Sequence, residues 1–257
     1  MEDIILYFAL KYEGDFEKIF YAIMIKEVVN YSELKRMKEE LNCNYVTVIS
    51  KNYPSKLKHL NRPPFVLFYK GDLSLINNKS VSIIGSRNCS EYGLTMCNKI
   101  VKELVKENYI IISGLALGID SISHVECLNN FGKTIAVLGN GVNEYYPYKN
   151  NKIQRDIEKK GLVISEYPPN VKPSRMNFPK RNRIIAALGD GLVVIEASKR
   201  SGTMITVNEA LNLGKDVMCL PFRADEESGC NDLIKNGAYL IEDANDIIEI
   251  LNMYKIM

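Results

Sequence analysis

VSIIGSRNCSEYGLTMCNKIVKELVKENYIIISGLALGID, residues 81–120, decides the fold. It opens on the apolar run 81–84, turns at Gly85-Ser86-Arg87, and then repeats apolar residues at helical spacing: Leu94, Cys97, Ile100, Val101, Leu104 and Val105. A second apolar run, 109–112, ends in another glycine-bearing turn, Ser113 to Asp120, where a further helix begins. Short continuous apolar runs mark strands buried on both faces, and their alternation with 3.6-residue periodicity marks βαβ crossovers.

The same alternation continues outward from this stretch. Strands are predicted at 134–138, 162–165, 192–195, 216–220 and 238–241, with helices near 119–130, 149–160, 180–188, 203–213, 230–236 and 244–252. Right-handed crossovers of this kind build a parallel sheet. The expected architecture is α/β, a Rossmann-like, doubly wound, mostly parallel sheet. Upstream, Asp15 is placed to cap a helix over 16–29 and Ser32 a second over 33–41, while 65–69 (FVLFY) is a further β-like run. The chain therefore divides into a short helical N-terminal unit, 1–52, and a Rossmann-like domain, 53–257.

Composition narrows the function. The chain has 257 residues, 46% hydrophobic and 25% charged, which are ordinary globular values that exclude a disordered or low-complexity protein. Six cysteines stand far apart without a C-x-x-C pair, as expected of reduced core thiols rather than disulfides or zinc ligands. With two histidines, a metal site or a Ser/His/Asp triad is poorly supplied, and no metal or other cofactor is expected. Glu2 and Asp3 occupy positions where a signal peptide carries positive charge, and no apolar run reaches the length of a membrane span. A cytoplasmic protein with no membrane partner is expected.

In an open parallel sheet, ligands bind beyond the carboxyl ends of the strands. Four such ends carry glycine and small residues before a helix: Gly85-Ser86-Arg87, Ser113 to Asp120, Gly139-Asn140-Gly141, and Ser201-Gly202-Thr203. One such turn is ordinary turn chemistry. Four on one edge favour a phosphate-bearing ligand, because backbone N–H groups and helix N-termini converge there. Neither G-x-x-x-x-G-K-[ST] nor a complete G-x-G-x-x-G is present, so no free nucleotide is specified.

The net charge is only +2, but residues 170–203 carry seven basic residues against two acidic ones, a local +5. Lys180, Arg181 and Arg183 of FPKRNR, and Lys199 and Arg200 of SKRSGT, lie in segments flanking one strand. Arginine forks and lysine point charges together suit a nucleic-acid backbone. Tyr145, Tyr146, Tyr148 and Phe178 are placed either to stack unpaired bases or to pack their loop. Asp120 caps its helix or fixes the turn before it, and His124 is a structural histidine. Glu196 is read as holding a ribose hydroxyl or pairing with a rim arginine. Residues 224–250 carry a net −7, a solvated acidic face or a contact for a partner.

These residues resemble the DNA-processing protein A (DprA/Smf) family. The resemblance runs from about Tyr53 to Leu251. It rests on YPSKLKHLNRPPFVLFYKGDLSLI, IIGSRNCSEYG, ISGLALGIDSISH, TIAVLGNGVNEYYP, SEYPPN, FPKRNRIIAAL, EASKRSGTMIT and GCNDLIKNGA in that order. It implies a protein that binds and protects single-stranded DNA and helps load the RecA recombinase during natural transformation, as a homodimer without catalytic turnover. Carried over by motif, the DNA-binding residues are Gly85, Ser86 and Arg87; Lys180, Arg181, Asn182 and Arg183; and Ser201, Gly202 and Thr203, joined by Tyr146 and Lys149. Leu117 stands where the family's S-G-L-A-R-G-I-D carries arginine, which removes one charge from that turn. The further C-terminal winged-helix-like domain of many members is expected to be absent. The competing expectation is a Rossmann-like nucleoside-phosphate enzyme of the phosphoribohydrolase type, although P-G-G-x-G-T-x-x-E is missing.

Overall fold

Each apolar run after residue 80 becomes a strand in the computed structural model, which describes residues 1–253; the end of the segment assigned to the Rossmann-like domain, 254–257, lies outside the described residues. In chain order the strands are β1 (Asn44–Thr47), β2 (Val66–Gly71), β3 (Ser80–Ile84), β4 (Ile110–Ser113), β5 (Thr134–Leu138), β6 (Leu162–Ser165), β7 (Gly191–Val194), β8 (Val217–Cys219) and β9 (Tyr239–Leu240). They form one nine-stranded sheet in the order β1-β2-β6-β5-β4-β3-β7-β8-β9. The seven strands from β6 to β9 in that order pair in parallel, and β1 and β2 join antiparallel at one edge. The architecture is thus α/β with a mostly parallel sheet.

Period-two side-chain alternation distributes each central strand between two cores. Val81, Ile83, Ile111, Val193 and Ile195 pack with helices α4 (Glu91–Lys106) and α10 (Ala244–Asn252). Ile84, Ile110, Ile112, Leu192 and Val194 pack on the opposite face with α7 (Asn177–Leu188) and α8 (Thr203–Asn212). The remaining helices of this region are α5 (Ile119–Asn129), α6 (Asn151–Lys160) and α9 (Gly229–Lys235). Four of the cysteines are buried and Cys43 and Cys89 are half-buried, all as free thiols. No helix among the described residues is long and apolar enough to cross a membrane.

The N-terminal segment differs from expectation in four ways. A helix that the apolar pattern did not single out, α1 (Glu2–Lys11), buries Ile5, Leu6, Tyr7, Phe8 and Ala9. Helix α2 is capped by Asp15 as expected but spans only Phe16–Met24; the chain turns with Lys26 at φ 54°. Helix α3 (Tyr31–Glu39) is capped by the Asn30 side chain, not by Ser32. Within the same segment, β1 pairs with β2, whose Val66 and Phe68 pack into the helical cluster around Phe8 and Ile19. Tertiary contact made these choices, since a four-residue half-exposed strand carries almost no local signal.

Candidate nucleic-acid interface

The loop after β3 is held from below by a close backbone approach. A Cβ at Gly85 would lie 2.6 Å from the Ile119 side chain, and the Ile119 N–H donates to the Ser86 carbonyl at 3.1 Å. Gly118, at φ +74°, would overlap that same carbonyl if it carried a side chain. We therefore expect Gly118→Ala to cost about 1–3 kcal/mol through strain at this backbone conformation, and to weaken any ligand that needs the loop in place. Chemical denaturation reads the first effect and a binding assay the second. Ser86 closes the loop locally by accepting from Asn88 N–H at 3.2 Å. Arg87 projects from it, exposed, with no hydrogen bond or ion pair among the described residues.

The turn between β4 and α5 is organised from inside. The Asp120 carboxylate accepts from the N–H groups of Gly114 (3.2 Å) and Ala116 (3.4 Å), so Asp120 fixes the turn. Burial raises its pKa, opposed by the Arg181 guanidinium and by those same N–H groups. Asn150 donates to the carbonyls of Leu115 (2.9 Å) and Ala116 (3.2 Å), tying the tyrosine-rich loop to the turn. Leu117 is left 37% exposed at its tip. His124, fully buried, bonds Thr134 Oγ1 through Nδ1 at 2.7 Å, a structural role as expected.

Helix α7 separates the four polar residues of KRNR by face. Lys180 is exposed. Arg181, about 100° further round the helix, is buried, and its Nη1 donates to the carbonyls of Gly114 (2.6 Å) and Val137. Its Nε donates to Asn182 Oδ1 at 3.2 Å. Arg183 forms a bidentate pair with Glu166 at 2.8 and 2.6 Å, both side chains largely shielded from solvent. Arg181 and Arg183, both expected to contact phosphate, are thus engaged within the protein. Their donors are directed at strand-end carbonyls and at a carboxylate, and neither stands free on the rim.

Two further assignments change with the geometry. Glu196 pairs with no arginine among the described residues: one carboxylate oxygen accepts the Ser90 N–H at 2.9 Å and the Ser90 hydroxyl at 2.7 Å. Lys199 pairs with Asp232 at 3.1 Å. At the start of α8, Thr203 donates to the Gly85 carbonyl at 3.3 Å, the Ser201 hydroxyl is buried without a partner, and Gly202 is exposed. Tyr146 stacks on Phe178 with centroids 5.6 Å apart, above Gly139, where a Cβ would lie 2.6 Å from the Phe178 ring. Tyr148 is 80% exposed beside the exposed Lys149.

The carboxyl edge of the sheet thus presents Arg87, Lys149, Lys180 and Arg200 as exposed cations without ion pairs among the described residues. Around them are glycine turns and the helix N-termini of α5 and α8, neither capped by a side chain. A groove of about 890 Å³ extends from Lys180 between the Tyr167–Ser174 segment and the N-terminal unit, and its lining mixes acids such as Glu13, Glu17 and Glu40 with Lys18, Arg62 and Lys172. Sequence reasoning found the cations by composition. It quoted Glu166 only as part of SEYPPN, without assigning it Arg183 as a partner, and it missed the groove.

Residues 44–252 match the family model described as DNA recombination-mediator protein A. The DNA processing protein DprA of Streptococcus pneumoniae is 38% identical over 229 residues, covering 88% of this chain and 81% of its own length. The crystal structure of DprA from that species superposes with a TM-score of 0.81 at 34% identity, covering 97% of this chain and 93% of the other. DNA processing protein A from Helicobacter pylori, studied for its single-stranded DNA binding mode, superposes with a TM-score of 0.74 at 31% identity, covering 82% of this chain and 96% of its own. A model match over most of the sheet, together with close relatives spanning nearly the whole chain, means that this protein belongs to the DNA recombination-mediator protein A family.

Proposed function

We propose that this protein binds single-stranded DNA along the carboxyl edge of its sheet and acts as a cytoplasmic recombination mediator. In this reading it protects incoming DNA and helps load RecA during natural transformation, as a homodimer and without catalysing a reaction. The observation that carries the proposal is the placement of Arg87, Lys149, Lys180 and Arg200, all exposed and unpaired among the described residues, around glycine turns and the exposed Tyr148 ring. Free cations track phosphates, and aromatic faces accept any unpaired base. The acidic face within 224–250, with Asp225, Glu226 and Glu227 exposed, is the surface assigned to RecA or the second subunit.

A titration of a labelled oligonucleotide at rising salt tests this. Single-strand affinity should fall with salt, with a log–log slope of roughly −0.7 per phosphate contact. Arg87→Ala and Lys180→Ala should each weaken binding several-fold and flatten that slope by about one contact. Binding that is absent, or indifferent to salt in a folded protein, would overturn the proposal. The nucleoside-phosphate enzyme is the weaker reading, because the acid that would orient a ribose or a water, Glu196, is engaged by Ser90.

A further inference from the structure

β3 and β7 are adjacent parallel strands, and the helices that follow them pack on opposite faces of the sheet: α4 on one, α8 on the other. This is the topological switch point of the fold, where a crevice opens beyond the strand ends. Two side chains cross it. Thr203 reaches the Gly85 carbonyl, and Glu196, just beyond β7, reaches Ser90 at the far end of the same loop. The Ser90 hydroxyl also accepts the Gly93 N–H at 3.0 Å as the N-cap of α4. Gly93 leaves the space that the Glu196 carboxylate fills, since a Cβ there would overlap Oε2.

The loop 85–90 is therefore anchored at both ends, and Arg87 is its exposed, unpaired member. A cation on an anchored loop loses less conformational freedom on binding than one on a free loop. We infer that Glu196 is a positioning residue for single-strand binding: by holding Ser90 across the switch crevice it sets the loop that presents Arg87 to a phosphate, without touching DNA itself. The assignment rests on the DNA-binding reading above. It makes a prediction opposite in sign to simple electrostatics, under which removal of a carboxylate near a polyanion site tightens binding.

The experiment uses the full chain and a labelled single-stranded oligonucleotide across a salt series, with a double-mutant cycle. Glu196→Ala should weaken binding about five- to tenfold, the scale of one lost hydrogen bond, and lower the salt slope as much as Arg87→Ala does. The Glu196→Ala/Arg87→Ala double variant should bind no more weakly than Arg87→Ala alone, whereas the effects of Glu196→Ala and Lys180→Ala should add. Glu196→Gln, which keeps an oxygen for Ser90, should recover most of the loss. Amide hydrogen exchange across 85–93 should rise in Glu196→Ala in the absence of DNA. Tighter or unchanged binding, additivity with Arg87→Ala, or unchanged exchange would overturn the assignment while leaving the DNA reading intact. Failure of the wild-type chain to bind would overturn both.

Discussion

Arg181→Ala is expected to destabilise the protein by about 3–5 kcal/mol, the range for removing one member of a buried charged arrangement. Arg181 is the only cation inserted beneath the glycine turn, among the described residues, and it serves the ends of two neighbouring strands at once through the carbonyls of Gly114 and Val137. Truncation leaves both carbonyls and the buried Asp120 carboxylate without it. A Cβ at Gly114 would lie 2.5 Å from the guanidinium, so turn and arginine are fitted to each other. Burial is the main force lowering the Arg181 pKa, to about 10; Asp120 opposes it and Arg87 adds to it, so the group remains charged at neutral pH. Urea denaturation measures the loss. A change below about 0.5 kcal/mol, within the range of an ordinary surface substitution, would show that water replaces the guanidinium, and that the residue is free to serve as the phosphate contact its motif suggested.

The second large effect is a loss of stability in mild acid that depends on His124. The Thr134 hydroxyl donates its one proton to the Ile111 carbonyl at 2.7 Å, so His124 Nδ1 carries the ring proton and donates to Thr134. Nε2 is left buried and without a partner. Protonating it places a cation in an apolar interior that already holds Arg181; burial first, and that charge second, lower the pKa to about 3. A folded pKa below the unfolded one gives stability that is complete above about pH 6.5 and is lost as pH falls toward 3. The slope approaches 1.4 kcal/mol per pH unit within that window. Asp120 acts in the opposite sense, because its raised pKa favours the folded state when protonated. The comparison is therefore between wild type and His124→Gln across pH 7 to 4. The stability advantage of wild type should shrink steadily as pH falls, by a few kcal/mol in all; parallel curves would show that His124 titrates alike in both states.

The strands from β3 to β8 were readable because each lies in a continuous apolar run closed by a turn residue, a pattern that burial on both faces imposes locally. Asp15 was readable as a cap for the same kind of reason, its partner being the Lys18 N–H three residues away. Local signals failed at Ser32, where Asn30 two residues earlier caps the helix, and at β1, whose only support is its pairing with β2. In the site, glycine turns and a basic segment were visible, but composition cannot tell an exposed cation from an occupied one.

Sequence alone determined that the chain forms a doubly wound sheet with four small-residue turns on one edge, and that positive charge collects there. Both properties follow from periodicity and turn chemistry within a few residues. Which charges remain available was decided by tertiary structure. Lys180 and Arg181 are neighbours in the chain, yet helical rotation turns one outward and the other under the turn at Gly114. Arg183 meets Glu166 across 17 residues, and Glu196 meets Ser90 across 106. Ion pairs and hydrogen bonds form between groups that folding brings within about 3 Å, and such partners lie at no fixed spacing along the chain.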